Sequence, residues 1–199
     1  DNIWVVNSFN SRVQKFTKDG QFLSGFGEKG DLEGQMEMPS GLSLDAEGNL
    51  YVTDWGNNRV LKFTPEGQHL LTFGHGGTGA GSLNHPTGVC IDNDGDVYVV
   101  DWMNERVVIY DKEARPLTYL YGDAVEVSAW GNMSLEANPD MVKRRNQVSD
   151  LVDQQRKFRM PMGCYFDRDN NRLIVVDTNR ARLQIYVKDY NYQDPQFNL

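Results

Sequence analysis

Short apolar runs cut by turn residues fill most of the chain, and they alternate with a period of two, not 3.6. Gly41-Leu42-Ser43-Leu44-Asp45 and Asn49-Leu50-Tyr51-Val52-Thr53-Asp54 flank Ala46-Glu47-Gly48, a hairpin signal with glycine where a positive φ is needed. Arg59-Val60-Leu61-Lys62-Phe63 supplies a third run, Pro65-Glu66-Gly67 a second turn, and His69-Leu70-Leu71-Thr72-Phe73 a fourth run. Four antiparallel strands in a unit of this size, with no helix between them, predict one blade of an all-β propeller. Period-two alternation and the β-branched and aromatic content exclude a solenoid of helical pairs.

The unit repeats. A shift of 47 residues carries Asn7 onto Asp54 and Asp101, Arg12 onto Arg59 and Arg106, and Phe16 onto Phe63 and Tyr110. The same shift carries Gly20 onto Gly67, Gly27 onto Gly74, Gly30 onto Gly77, Gly34 onto Gly81 and Pro39 onto Pro86. A fourth copy holds Pro161-Met162-Gly163, Asp167, Asp177, Arg182 and Tyr186, at steps of 75 or 76 residues, so about 28 residues are inserted ahead of it. The units span about 1–38, 39–85, 86–122 and 160–190 of a single propeller domain over 1–199, with 123–157 as an insertion between blades. That insertion carries a helix signature. Asn138 suits a cap, Pro139 the first helical position and Asp140 the positive helix end, while Met141, Val142, Val148, Leu151 and Val152 share one face. Such a helix lies on one face of the disc, as packing over a gap between blades, as a lid over the channel or as a docking element.

Pro39 to Val60, read as Pro-Ser-Gly-Leu-Ser-Leu-Asp-Ala-Glu-Gly-Asn-Leu-Tyr-Val-Thr-Asp-Trp-Gly-Asn-Asn-Arg-Val, resembles the NHL repeat nearly position for position, and Phe73-Gly74 with its glycine-rich connector fits as well. The resemblance covers about four-fifths of the chain. It implies four-stranded antiparallel blades of NHL type, about four of the six in a closed ring, the first lacking its opening strand. Four blades alone leave unpaired edges and an apolar blade face, so the expectation is a fragment of a larger ring. Gln196-Phe197-Asn198-Leu199 resembles the blade lead-in Gln35-Met36-Glu37-Met38, as the start of a further repeat or a tail against the ring.

Charge narrows the partners. With 28 acidic and 20 basic residues the formal charge is −8, which repels nucleic-acid backbones; Lys143-Arg144-Arg145 is the one compact basic run. No apolar run is long enough to span a bilayer, and the chain opens in what reads as a strand, so the compartment stays open. Cys90 and Cys164 sit within apolar strand patterns and read as plain core residues.

Several motifs resemble chemistry without completing it. The pairs Asp54 and Arg59, Asp101 and Arg106, and Asp177 and Arg182 recur blade by blade, so they read as structural ties from one strand's end to the next strand's start. Asn7 replaces the aspartate in the first unit. Asp92-Asn93-Asp94-Gly95-Asp96 looks like a calcium loop, but Met103 stands where such a loop needs glutamate, and the segment is the hairpin turn equivalent to Asp45–Asn49. Gly74-His75-Gly76-Gly77-Thr78-Gly79 has dinucleotide spacing but leads to no helix. His69, His75 and His85 lack zinc-site spacing and read as surface residues; Asn132-Met133-Ser134 is a glycosylation sequon, and no Gly-x-Ser-x-Gly nucleophile motif occurs.

No catalytic residue, metal ligand or cofactor is therefore assigned. The expectation is a non-catalytic binding or scaffold propeller for a protein or small-molecule partner, with no nucleic acid and no membrane span. Ser40, Thr87 and Met162, each following a blade-opening proline, are the ligand-lining candidates at the channel mouth. Trp55 and Trp102 are exposed aromatic candidates, or else pack between blades. The alternative is a metal-dependent enzyme of lactonase/hydrolase or amidating-lyase type, whose propellers are similar and use a divalent ion (Ca or Zn). The lyase resemblance puts a histidine directly after the proline, where this chain has Ser40, Thr87 and Met162.

Overall fold

In the computed structural model, residues 2–124, 133, 136–140, 143, 147 and 156–189 are described. Four antiparallel sheets succeed one another along the chain. Blade 1 has three strands, β1 (Asn2–Asn7), β2 (Arg12–Thr17) and β3 (Phe22–Phe26). Blade 2 has four, β4 (Pro39–Leu44), β5 (Leu50–Asp54), β6 (Arg59–Phe63) and β7 (His69–Phe73). The connector after it holds a short parallel pair, β8 (His75–Gly76) and β9 (Ser82–Leu83). Blade 3 comprises β10 (Pro86–Ile91), β11 (Val97–Asp101), β12 (Arg106–Tyr110) and β13 (Pro116–Leu120). Blade 4 has β14 (Pro161–Asp167), β15 (Arg172–Asp177) and β16 (Arg182–Val187). The helical insertion lies mostly outside the described residues; Met133, Glu136, Pro139, Asp140, Lys143 and Arg156 within it are helical.

Alternation along each strand sends one side-chain set into each neighbouring interface. Val13, Met36, Leu50, Val52, Leu61 and Phe63 form the core between blades 1 and 2. Val60, Phe73, Val89, Val99, Val108 and Tyr110 fill the next interface, and Cys90, Tyr98, Val100, Phe166, Leu173 and Val175 the one between blades 3 and 4. One aromatic contact recurs at the repeat spacing. Phe26 of blade 1 meets Phe63 at 5.0 Å between ring centroids, and Phe73 of blade 2 meets Tyr110 at 4.9 Å. The faces that look away from this stack are apolar too, with Leu183, Ile185 and Val187 exposed on β16 and Ile3 and Val5 exposed on β1.

Two devices join the blades. The first is glycine. A Cβ placed on Gly41 would lie 2.6 Å from the Thr87 carbonyl oxygen, and one on Gly88 would lie 3.1 Å from Gly163 Cα. The Pro-x-Gly repeat therefore lets the innermost strands β4, β10 and β14 approach backbone to backbone. The second is a buried ion pair. Asp101 at the end of β11 accepts from Arg106 Nε at 2.7 Å, Asn104 Nδ2 at 2.8 Å and the Asn84 backbone N–H at 2.6 Å. Arg106 spends its remaining donors on the carbonyls of Thr78, Gly79 and Ser82. Blade 2 repeats this with Asp54, Arg59, Asn57, the Glu37 N–H and the carbonyls of Asp31, Leu32 and Gln35. Blade 4 does so with Asp177, Arg182, the Arg159 N–H and the carbonyls of Arg156 and Lys157. In blade 1 the side-chain amide of Asn7 bonds Gln14 and Arg12 is exposed.

Urea unfolding midpoints test both devices. Arg106→Ala strands a buried carboxylate and is expected to cost about 3–5 kcal/mol, whereas Arg12→Ala changes stability by less than about 0.5 kcal/mol. Gly41→Ala lowers stability by about 1–3 kcal/mol through overpacking against backbone, whereas Gly79→Ala, whose added methyl has its nearest contact at 3.6 Å, is close to neutral.

Candidate functional site

The prolines that open β4, β10 and β14 pair with the aspartates that end β5, β11 and β15, so Pro39, Pro86 and Pro161 lie at the same end of the sheets as Asp54, Asp101 and Asp177. The loops after those aspartates and the connectors before those prolines therefore share one end of the propeller. The residue preceding each proline, Met38, His85 or Met160, sits at φ +51°, +55° or +49°. Side chains other than glycine adopt this conformation at a cost of roughly 1–2 kcal/mol. The aspartate of the same blade binds the backbone N–H one residue earlier, at Glu37, Asn84 or Arg159. The buried ion pair thus holds each connector in its strained shape and sets the direction in which the chain enters the blade.

Immediately after each proline the innermost strand carries a bulge. In blade 3 the ladder pairs Pro86 with Asp101 and then Gly88 with Val100, leaving Thr87 as the extra residue; Met162 is the extra residue in blade 4, and the register slips at Ser40 and Gly41 in blade 2. A bulge re-aims its side chain away from the ladder. Ser40, Thr87 and Met162 consequently stand in sequence along the inner strands. Ser40 Oγ donates to the Thr87 carbonyl at 3.1 Å, and Gly88 abuts the Met162 carbonyl. Their exposures differ: Ser40 and Met162 are exposed, while Thr87 is buried and its Oγ1 has no hydrogen-bond partner among the described atoms.

Trp55 and Trp102 occupy equivalent places one residue beyond the aspartates, and both are half-buried. They pack neither wholly between blades nor singly in solvent. Trp55 lies 6.4 Å from Trp102 between ring centroids, and His85 lies 4.1 Å from Trp55 and 6.5 Å from Trp102. His85, expected as a surface residue, is the ring that joins them. Its backbone N–H donates to Asn58 Oδ1 at 2.8 Å, and its Nδ1 bonds Asn84 Oδ1 at 2.7 Å. Only its place directly before Pro86 pointed to the rim; its contact with two tryptophans depends on how blades 2 and 3 are set against each other. Met103 at 48% and Phe9 at 89% exposure, in the equivalent loops of blades 3 and 1, add apolar surface at this end.

The opposite end is tied by charge. The calcium-like segment is a turn in which Asp92 Oδ1 accepts the N–H groups of Asp94 and Asp96. Lys188, just beyond β16, places its ammonium 2.6, 2.8 and 2.9 Å from the carboxylates of Asp92, Asp94 and Asp96. Despite its burial, these hydrogen bonds push the lysine pKa above its usual value, and burial raises that of Asp96. Among the described residues no group of three or more His, Cys, Asp or Glu side chains is arranged to hold a metal ion. Arg168, in the turn after β14, reaches further: Nη2 donates to the carbonyl of Leu44 at 2.9 Å, and Nε and Nη2 to that of Ile91 at 3.4 Å. His69 bonds Glu33 and Thr72, and His75 bonds Ser82, so the three histidines do not meet. No described helix is long and apolar enough to cross a membrane.

The NHL repeat family model matches residues 36–63 and 83–110, which start 47 residues apart and run from each connector through the third strand of blades 2 and 3. No curated protein sequence matches the chain. Among solved structures it is similar to a streptogramin B lyase at 13% identity and TM-score 0.51, over 96% of this chain and 52% of that one. It is also similar to a catalytically inactive virginiamycin B lyase from Staphylococcus aureus with quinupristin, at 10% identity and TM-score 0.50, over 96% and 53% of the two chains. A protein of unknown function from Bacteroides caccae matches at 14% identity and TM-score 0.54, over 83% and 48%. The chain thus spans about half the length of these structures, and at such identities the likeness is one of fold. With two segments matching the NHL repeat at the 47-residue period and its sheets arranged as blades, the chain carries NHL repeats at residues 36–63 and 83–110 and has a β-propeller fold.

Proposed function

We propose that the chain acts as a non-catalytic binding or scaffold module, taking a protein or small-molecule partner at the end of the propeller where the connectors and the loops after the blade aspartates meet. The observation that carries this is the convergence of Trp55, His85 and Trp102, three half-buried rings from two successive blades and the connector between them. Large, rigid aromatic rings at a partly desolvated rim are the side chains that dominate binding energy at interfaces. Exposed Met162 and Met103 extend the same surface with side chains that adapt to a partner's shape. The Thr87 hydroxyl, buried between the innermost strands without a hydrogen-bond partner among the described atoms, lies beneath this surface and not on it. Apolar outer faces on both terminal blades support a ring of more than these four blades, six by the family resemblance.

A double substitution of Trp55→Ala and Trp102→Ala removes the rim without touching the Asp-Arg pairs. Partners captured by the wild-type protein are expected to bind it at least about tenfold more weakly, with circular dichroism unchanged. Metal analysis by mass spectrometry, with melting curves in divalent ion and in chelator, decides against the enzyme alternative or for it. The expected result is no stoichiometric metal and no change in melting temperature; a stoichiometric calcium or zinc ion that raises it overturns the scaffold reading in favour of a metal-dependent propeller enzyme.

A further inference from the structure

Cys90 and Cys164 belong to different blades, yet they face each other. Cys90 on β10 shares its face with Gly88, against which the chain at Gly163 and Cys164 packs. Cys164 on β14 shares its face with Phe166, whose ring stacks on Tyr98 at 5.5 Å and an interplanar angle of 24°. Tyr98 is the ladder partner of Cys90, and Cys164 Sγ donates to its carbonyl oxygen at 3.6 Å. Both thiols are free and sit in the same interblade core, Cys90 buried and Cys164 partly exposed. Burial, with the neighbouring Cys164 thiol second, pushes the Cys90 pKa well above its ordinary value. The close approach that Gly88 permits brings β10 into backbone contact with β14 at Gly163 and Cys164, two residues before Cys90.

We propose that Cys90 and Cys164 are a modification site, forming a reversible disulfide that stitches the innermost strands of blades 3 and 4 when the protein meets a small-molecule disulfide such as oxidised glutathione. Cys164, the accessible partner, reacts first. Its thiolate attacks one sulfur of the reagent, forming a mixed disulfide and releasing one glutathione, which takes up the proton that Cys164 lost. Cys90 then gives up its proton, attacks the Cys164 sulfur and expels the second glutathione. Two protein thiols and one glutathione disulfide become one protein disulfide and two glutathione thiols. Because Cys90 is held protonated, the second step is the slow one. The bond joins residues 74 positions apart in the chain, so it restricts the unfolded ensemble strongly.

The test uses the wild-type chain incubated with oxidised glutathione and then unfolded under acid quench. The expected result is a fall from two titratable thiols to none per chain, a mass lower by two hydrogens, a peptide containing Cys90 linked to one containing Cys164 on a non-reducing map, and a raised melting temperature that dithiothreitol reverses. Retention of both thiols, a stable glutathione adduct on Cys164 with Cys90 still free, or a disulfide between two chains would each overturn the proposal.

Discussion

Burying a carboxylate away from water is tolerable only when every lone pair facing the protein is answered. Asp54, Asp101 and Asp177 are wholly buried, and each is met by an arginine Nε, a side-chain amide and a backbone N–H. For Asp54 and Asp101 burial still leaves the carboxyl pKa raised. The arrangement needs arginine and not lysine, because one planar guanidinium reaches the carboxylate with Nε and two or three connector carbonyls with its other nitrogens. Connector shape, the strained residue before each proline, the bulge after it and the direction of the rim side chains all depend on this one group of bonds.

Most of the architecture was legible because propeller blades repeat. The Pro-x-Gly openings, the glycine turns and the Asp-Arg pairs recur at fixed spacing, and local turn chemistry together with strand alternation is enough to draw each sheet. Less was legible where residues in equivalent repeat positions meet different neighbours. Ser40, Thr87 and Met162 come directly after the same proline, yet Thr87 alone is buried, since it has an inner strand on either side of it. His85 read as a surface histidine because its contacts come from a tryptophan of the blade before and a tryptophan of its own blade. Arg168 and Lys188 lie within the fourth unit, but at positions the recurring Pro-x-Gly, glycine-turn and Asp-Arg signals do not include, so nothing in the periodicity marked their contacts. The cysteine pair shows the same limit: Cys90 and Cys164 occupy different offsets from their prolines, and only the parallel approach of β10 and β14 brings their faces together.

The two ends of the blades are held by different physics. At the proline end, backbone carbonyls and amides are gathered by the Asp-Arg pairs, and aromatic rings are left at the surface. At the hairpin end, side-chain charges reach between blades, with Lys188 on three aspartates and Arg168 on carbonyls of two other blades. The first arrangement leaves aromatic rings at a rim fit for contact; the second ties charged side chains to one another and to backbone carbonyls across blades.

Arg168 gives this asymmetry a mechanical meaning. Its guanidinium starts in blade 4, touches Ile91 in blade 3 and ends on Leu44 in blade 2, so three innermost strands are braced at their far tips by one side chain. Blade 1 has no share in that brace, and it is also the blade whose Asn7 and Arg12 form no buried pair. Blades 2 to 4 are therefore tied to one another at their hairpin ends by a single guanidinium, a tie in which the seam between blades 1 and 2 has no part.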